Sequence, residues 1–275
     1  MSPADPQSTP SSAGPEAAAP SSPGELQLWS DKYARAHAAG EQLFSTDPHP
    51  LVVQALDKVQ ILTRHRPSAI DVGAGEGRHS RELARRGYIV YAVEGVEAAV
   101  AAQVTSPPNA PTNDTASPDS DAAAAPGASS SSSFAPDASP DTAIEWFHAD
   151  VYTWSPPTPV DVVLTAFFHK RHDGILDLLP RLYSWVHETG WMVLVGHSRL
   201  QAGRDVGGPP YADALWDRSA LETSLRSHGF RIVFSQDIEH PGRCRDTDFS
   251  DDAAQRPGST STLPVTTVIV AQRDN

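Results

Sequence analysis

The sequence predicts an α/β fold built on a parallel sheet, and two observations predict it. Short apolar runs alternate along the chain with segments of helical periodicity. One of those runs leads through a glycine-rich turn into a helix and then a second apolar run, a β-turn-α-β unit. A third observation sets how much chain takes part. Of 275 residues, 1–24 and about 101–143 consist almost wholly of Pro, Ala, Ser, Asp, Gly and Thr, a composition with too little apolar surface to offset the entropy of ordering. The first tract is read as a disordered N-terminal tail. The second is read as a disordered low-complexity insertion in a single domain at 25–275, placed in a surface connection where added length costs little closure entropy.

The elements follow in order. Leu51, Ala55, Leu56, Val59 and Leu62 recur at helical spacing, and after Pro67 the run 69–72 (Ala-Ile-Asp-Val) reads as the first strand. The turn 73–77 (Gly-Ala-Gly-Glu-Gly) precedes a helix to about Arg86, with Gly87 as its terminator. The second strand, 89–93, ends at Glu94. A short helix is expected after Val96, and a third strand from Ile144 to Phe147. Residues 160–165 read as a buried fourth strand, and Ile175, Leu178, Leu179, Leu182 and Val186 as a helix interrupted by Pro180. Residues 191–195 give the fifth strand. Ser219 and Glu222 form a capping-box pattern for a helix that Gly229 ends. Residues 232–234 and 265–270 supply the last two strands.

Charge and composition exclude several functions. Asp and Glu total 34 against 21 Lys and Arg, a net charge of −13. Seven of those charges come from Asp5, Glu16, Asp114, Asp119, Asp121, Asp137 and Asp141 in the two low-complexity tracts. A protein that coats nucleic acid is disfavoured. The single cysteine, Cys244, permits no intramolecular disulfide and no Cys-rich zinc site. No apolar run approaches the ~20 residues needed to cross a bilayer, and the N-terminus lacks the features of a secretory signal. A cytoplasmic protein without a membrane partner is expected, of unspecified oligomeric state.

A strand leading into glycines and then a helix presents backbone N–H groups and a positive dipole end, and the missing side chains admit close approach, which suits an adenosine-containing cofactor. The spacing Gly73-x-Gly75-x-Gly77 does not satisfy the Gly-x-Gly-x-x-Gly dinucleotide fingerprint, and no Walker Gly-Lys-Ser/Thr follows.

The segment 71–77 (Asp-Val-Gly-Ala-Gly-Glu-Gly) resembles motif I of class I S-adenosylmethionine (SAM) dependent methyltransferases, with Glu94 closing strand two and Asp150 following strand three. The resemblance implies a Rossmann-like doubly wound sheet of seven strands, mostly parallel with an antiparallel last strand, in the order 3-2-1-4-5-7-6. It also implies SAM as methyl donor. Gly73, Gly75 and Gly77 would pass beneath its methionine portion, Glu94 would accept from both ribose hydroxyls, Asp150 would meet the adenine amino group, and Asp71 would lie near the ammonium group. Simpler readings are a surface acid for Glu94 and a helix cap for Asp150. Gly75-Glu76-Gly77-Arg78, Gly87-Tyr88 and 29–33 (Trp-Ser-Asp-Lys-Tyr) are similar to the tellurite-resistance type and related small-molecule methyltransferases. Two departures stand out: Glu94-Gly95-Val96 replaces the common Asp-x-Ser, and the long insertion has no counterpart.

Methyl transfer from a sulfonium is an in-line displacement accelerated chiefly by alignment. Its crevice should lie beyond the carboxyl ends of the strands, where Phe167, Phe168, His169 and His197 are expected to emerge. His169 and His197 are therefore candidates for orienting the acceptor or taking its proton, against the simpler reading of structural histidines. Tyr33 is a candidate to close over the cofactor, against the simpler reading of helix packing. His169 and His172 flank two cations, so no metal is expected. The Pro-Pro-Tyr at 209–211 follows strand five and lacks a preceding Asn or Asp, which makes its likeness to an amino-methylating motif accidental. Of the six tryptophans, Trp29, Trp154 and Trp216 could line a pocket, although packing is the default. The expected function is methyl transfer from SAM to a small-molecule acceptor. The rivals are a nicotinamide-dependent oxidoreductase and a SAM-binding protein without catalysis.

Overall fold

In the computed structural model, the described residues are 21, 23–61, 66–105, 143–172, 174–204, 206–209, 211–241 and 263–274. Leu62, Cys244, residues 1–20 of the predicted tail and 106–142 of the predicted insertion lie outside them. Helices α1 (Pro23–Ala38) and α2 (Pro50–Leu56) precede β1 (Ser68–Val72), α3 (Arg78–Arg85), β2 (Ile89–Glu94) and α4 (Glu97–Thr105). There follow β3 (Ile144–His148), β4 (Val160–Ala166), α5 (Gly174–Trp185), β5 (Val186–His197), α6 (Arg218–Ser227), β6 (Phe230–Glu239) and β7 (Val265–Arg273).

The seven strands form one sheet in the order β3-β2-β1-β4-β5-β7-β6. Neighbours from β3 through β5 pair in parallel, whereas β7 runs antiparallel to both β5 and β6. This is the expected sheet. Its central strands are apolar on both faces, as parallel strands covered on two sides must be: Ala69, Ile70, Val72, Val162, Val163, Leu164, Val193 and Leu194 are inaccessible to solvent. Leu178, Leu182, Leu221 and Leu225 of α5 and α6 pack on one face, and Leu51, Val52, Leu56 and Leu83 of α2 and α3 on the other. A smaller cluster joins Tyr33 of α1 to Val96 and Ala99 beside the carboxyl end of β2. The chain reverses direction across the sheet between β1 and β4, which opens a crevice at their carboxyl ends.

Several boundaries differ from the sequence reading for local reasons. Helix α1 begins at Pro23, because proline's missing N–H costs nothing in a first turn; the last two residues assigned to the tail are helical. Helix α4 reaches Thr105, five residues into the predicted insertion. Helix α2 ends at Leu56, with Asp57 closing it. Val186 is not helical: it pairs with Val160 at the start of β5, and residues 187–190 bulge before the register resumes at Val162 and Trp191. The capping box at Ser219 does not form. Asp217 is the N-cap, accepting from the Ala220 N–H at 3.1 Å, and Glu222 is taken up by Arg218, Arg226 and Ser235. The expected terminators hold, since Gly87 and Gly229 follow α3 and α6 with φ of +94° and +77°. Pro180 lies inside α5.

Candidate cofactor and acceptor site

The crevice beyond β1, β2 and β4 is a cavity walled by the glycine turn, the ends of β2 and β4, helix α1 and the loop after it. All three glycines of the turn have left-handed backbones, with φ of +68°, +55° and +78° at Gly73, Gly75 and Gly77, a region that side chains disfavour. Neighbours also crowd them. A Cβ would stand 2.7 Å from the Phe168 ring at Gly73, 2.9 Å from the Tyr33 hydroxyl at Gly75 and 2.3 Å from the Trp146 ring at Gly77. The turn is tied back by the N–H groups of Gly73 and Ala74, which donate to the Val93 carbonyl at 2.9 and 3.0 Å.

Glu94 ends β2 on the cavity wall. Its carboxylate accepts from the Gly75 N–H at 2.8 Å and the Val96 N–H at 2.9 Å, so the acid is locked to the glycine turn. Burial pushes its pKa up, and these backbone donors oppose that rise. Asp150 also lines the cavity; it accepts from the Tyr152 N–H at 3.0 Å, capping its own turn, and from the Ser21 N–H at 2.8 Å. Tyr33 is buried with its hydroxyl against Gly75, and burial together with Glu94 and Glu76 holds its phenol well above the ordinary range. Asp71 is not on the cavity wall. It lies beneath the turn, accepts from the Ser80 hydroxyl at 2.7 Å, and burial raises its pKa to about 6.

The opposite wall comes from the segment after β4. Phe167 adopts a left-handed backbone, φ +56°, held by its N–H bond to the Val195 carbonyl; such strain at a bulky residue is unusual outside functional sites. Phe168 covers Gly73. The Lys170 ammonium lies 3.7 Å from the centre of the Tyr152 ring, and the Arg171 guanidinium 4.2 Å from that of Tyr211. Arg78, only 8% exposed, enters between Phe44 and Phe167 at 5.7 and 6.0 Å.

No protein-family model matches the chain, and no curated protein matches its sequence. Solved structures do match. A 1,6-didemethyltoxoflavin-N1-methyltransferase from Burkholderia thailandensis, crystallised with its acceptor and S-adenosylhomocysteine, superposes over 99% of this chain and 100% of its own with a TM-score of 0.52 and 14% identity. TehB from Haemophilus influenzae gives a TM-score of 0.52 at 12% identity, over 84% of this chain and 64% of that one. A putative SAM-dependent methyltransferase from Listeria monocytogenes gives 0.50 at 13% identity, over 82% and 98%. This chain has the class I methyltransferase fold.

Within that methyltransferase fold, Gly73, Gly75, Glu94, Asp150 and Tyr33 meet on one cavity, as does His169. Gly77 supports the turn from behind, against Trp146. His197 does not reach the cavity: it has no solvent-accessible surface and its side chain hydrogen-bonds Gln201. His169 lines the cavity with both ring nitrogens committed. Nδ1 donates to the Ala214 carbonyl at 2.8 Å, and Nε2 accepts from the His197 N–H at 3.2 Å. Burial lowers its pKa to about 4. The placement of both histidines at the carboxyl end of the sheet was readable from sequence; which way the His169 ring points was set by Ala214 and His197, far along the chain. Trp29 lines the cavity, while Trp154 and Trp216 pack in the core.

Two residues escaped the sequence reading. Glu76, 4% exposed, accepts from His37 Nε2 at 2.8 Å and from the Leu43 and Phe44 N–H groups at 3.2 and 3.1 Å, fastening the segment after α1 to the glycine turn. Arg78 is the other. An acid between two glycines and a cation next to the last were visible as motif letters, but their partners lie more than 30 residues away. Among the described residues, no group of three or more His, Cys, Asp or Glu is placed to hold a metal ion, and no helix is long and apolar enough to cross a membrane.

Proposed function

We propose that this protein transfers a methyl group from SAM to a small-molecule acceptor. The observation that carries the reading is the fastening of Glu94 to the Gly75 N–H, which sets a carboxylate at the end of β2 beside a turn that no side chain could occupy. The residues present fit the cofactor. Paired ribose hydroxyls call for a charged acceptor, and Glu94, which lines the cavity, supplies one. Asp150 offers a second acceptor, toward an adenine amino group. Tyr33, Trp29 and Phe44 line the site on the α1 side with aromatic surface. Asp71 serves through its position under the turn and its bond to Ser80, with its charge one layer from the ligand. SAM, when bound, supplies an electrophilic methyl group on a sulfonium; alignment of the acceptor is the work left to the protein.

Calorimetric titration with S-adenosylhomocysteine and, separately, NADH tests the reading. Binding of S-adenosylhomocysteine alone is expected, and binding of NADH alone would replace the reading with that of an oxidoreductase. Glu94→Ala should weaken S-adenosylhomocysteine by more than about tenfold, because it removes a charged acceptor worth roughly 1.5–3 kcal/mol.

A further inference from the structure

Among the described residues, the cavity presents no histidine with a ring nitrogen left open to act as a base. Two imidazoles line it, His79 and His169. His79 Nε2 accepts from the His49 N–H at 3.3 Å, so in the neutral ring the proton sits on Nδ1 and the lone pair is spent. His169 is spent in the same way, between the Ala214 carbonyl and the His197 N–H. Three of the four carboxylates on the wall accept backbone N–H groups. Glu76 holds the segment after α1. Glu94 and Asp150 stand at the ends of β2 and β3, across from the β4 wall. Glu25 belongs to α1. A nucleophile that must lose a proton during transfer has no imidazole here to receive it.

The cations point the same way. Arg78 places a buried guanidinium on the cavity between two aromatic rings, Phe44 and Phe167, an arrangement suited to a planar anion that stacks on the rings while meeting the guanidinium. Lys170 and Arg171 line the cavity as well, Lys170 against the Tyr152 ring and Arg171 against the Tyr211 ring and Asp213.

Building on the methyltransferase reading, we infer that the methyl acceptor is a small flat anion that enters already deprotonated, its charge toward Arg78 and its plane against Phe44 and Phe167. The balance of the reaction fits this geometry. The acceptor's lone pair forms the bond to the methyl carbon as the carbon–sulfur bond breaks and its electron pair stays on sulfur; an anion and a sulfonium become two neutral molecules, and no proton moves. Apolar surfaces such as the Phe44 and Phe167 rings favour such charge cancellation, because the separated ions lose more solvation there than the products do.

The test is calorimetry on the full chain saturated with S-adenosylhomocysteine, titrated with 2-naphthoate, 2-naphthamide and (2-naphthylmethyl)ammonium. The naphthoate should bind at least about tenfold tighter than the amide, and the ammonium should give no heat. Arg78→Gln should remove that preference, while the same titrations report its affinity for S-adenosylhomocysteine. Equal binding of amide and naphthoate, preference for the ammonium, or no binding by any probe would overturn the inference, and the wild-type comparison stands even if the variant fails to fold. A parallel loss of naphthoate and S-adenosylhomocysteine affinity in Arg78→Gln would also overturn it, by assigning Arg78 to the cofactor. Failure of S-adenosylhomocysteine to bind the wild type is a different result, and it sinks the methyltransferase reading itself.

Discussion

Replacing Gly75 by alanine tests how the glycine turn and helix α1 share the cavity. The backbone at Gly75 has φ +55°, a left-handed conformation that costs an L-residue about 1–2 kcal/mol. The new methyl group would stand 2.9 Å from the Tyr33 hydroxyl, inside van der Waals contact, and Tyr33 is 3% exposed with little room to retreat. Overpacking of this kind adds about 1 kcal/mol or more. Gly75→Ala is therefore expected to lower unfolding free energy by about 2–3 kcal/mol in the wild type. Tyr33→Phe removes the offending oxygen and leaves the backbone strain. In that background the same substitution should cost only about 1–2 kcal/mol, a coupling of about 1 kcal/mol. Urea unfolding of the four proteins measures the cycle, and S-adenosylhomocysteine titration of the folded variants reports the site. Strict additivity would refute the proposed contact and with it the seating of α1 over the turn.

Two further predictions concern groups beneath and beside the turn. Asp71 has its folded pKa raised to about 6 from an unfolded value near 3.9. The folded state thus holds the proton more tightly, and stability is lost as pH rises from about 4 to about 6. Asp71→Asn should stabilise the protein by up to roughly 3 kcal/mol at pH 7.5 and by almost nothing near pH 4; thermal melts at both pH values would expose the error if the gain were the same. Glu76→Gln weakens a buried acceptor for three donors, so hydrogen exchange at the Leu43 and Phe44 amides should quicken by about tenfold. Unchanged exchange would show that the segment after α1 is held by its aromatic contacts alone.

How far the sequence was legible varied with the range of the interactions involved. Residues 69–72 and 89–94 read as strands because continuous apolar runs bounded by turn signals carry their own pattern. Gly73, Gly75 and Gly77 read as a ligand turn rather than a plain tight turn because alternate glycines after a strand are flanked by the acids Asp71, Glu94 and Asp150. Val186 was misplaced because its apolar character serves a helix or a strand equally, and only its pairing with Val160 decided between them. Ser219 lost the N-cap to Asp217 because both lie at permissible distances before Leu221, and the competition is settled by where the chain leaves Trp216.

What the sequence determined by itself was the alternation of elements, the glycine turn and the acids that close strands two and three; with the family resemblance it also implied the strand order. All of these are local patterns or follow from local patterns taken in order. The tertiary structure alone decided which side chains face the cavity. It turned His197 into the core, occupied both nitrogens of His169, put Asp71 under the turn, and brought Arg78 and Glu76 to the wall. Orientation depends mostly on partners such as Ala214, Phe44 and His37 that lie tens of residues away, and no spacing along the chain encodes them.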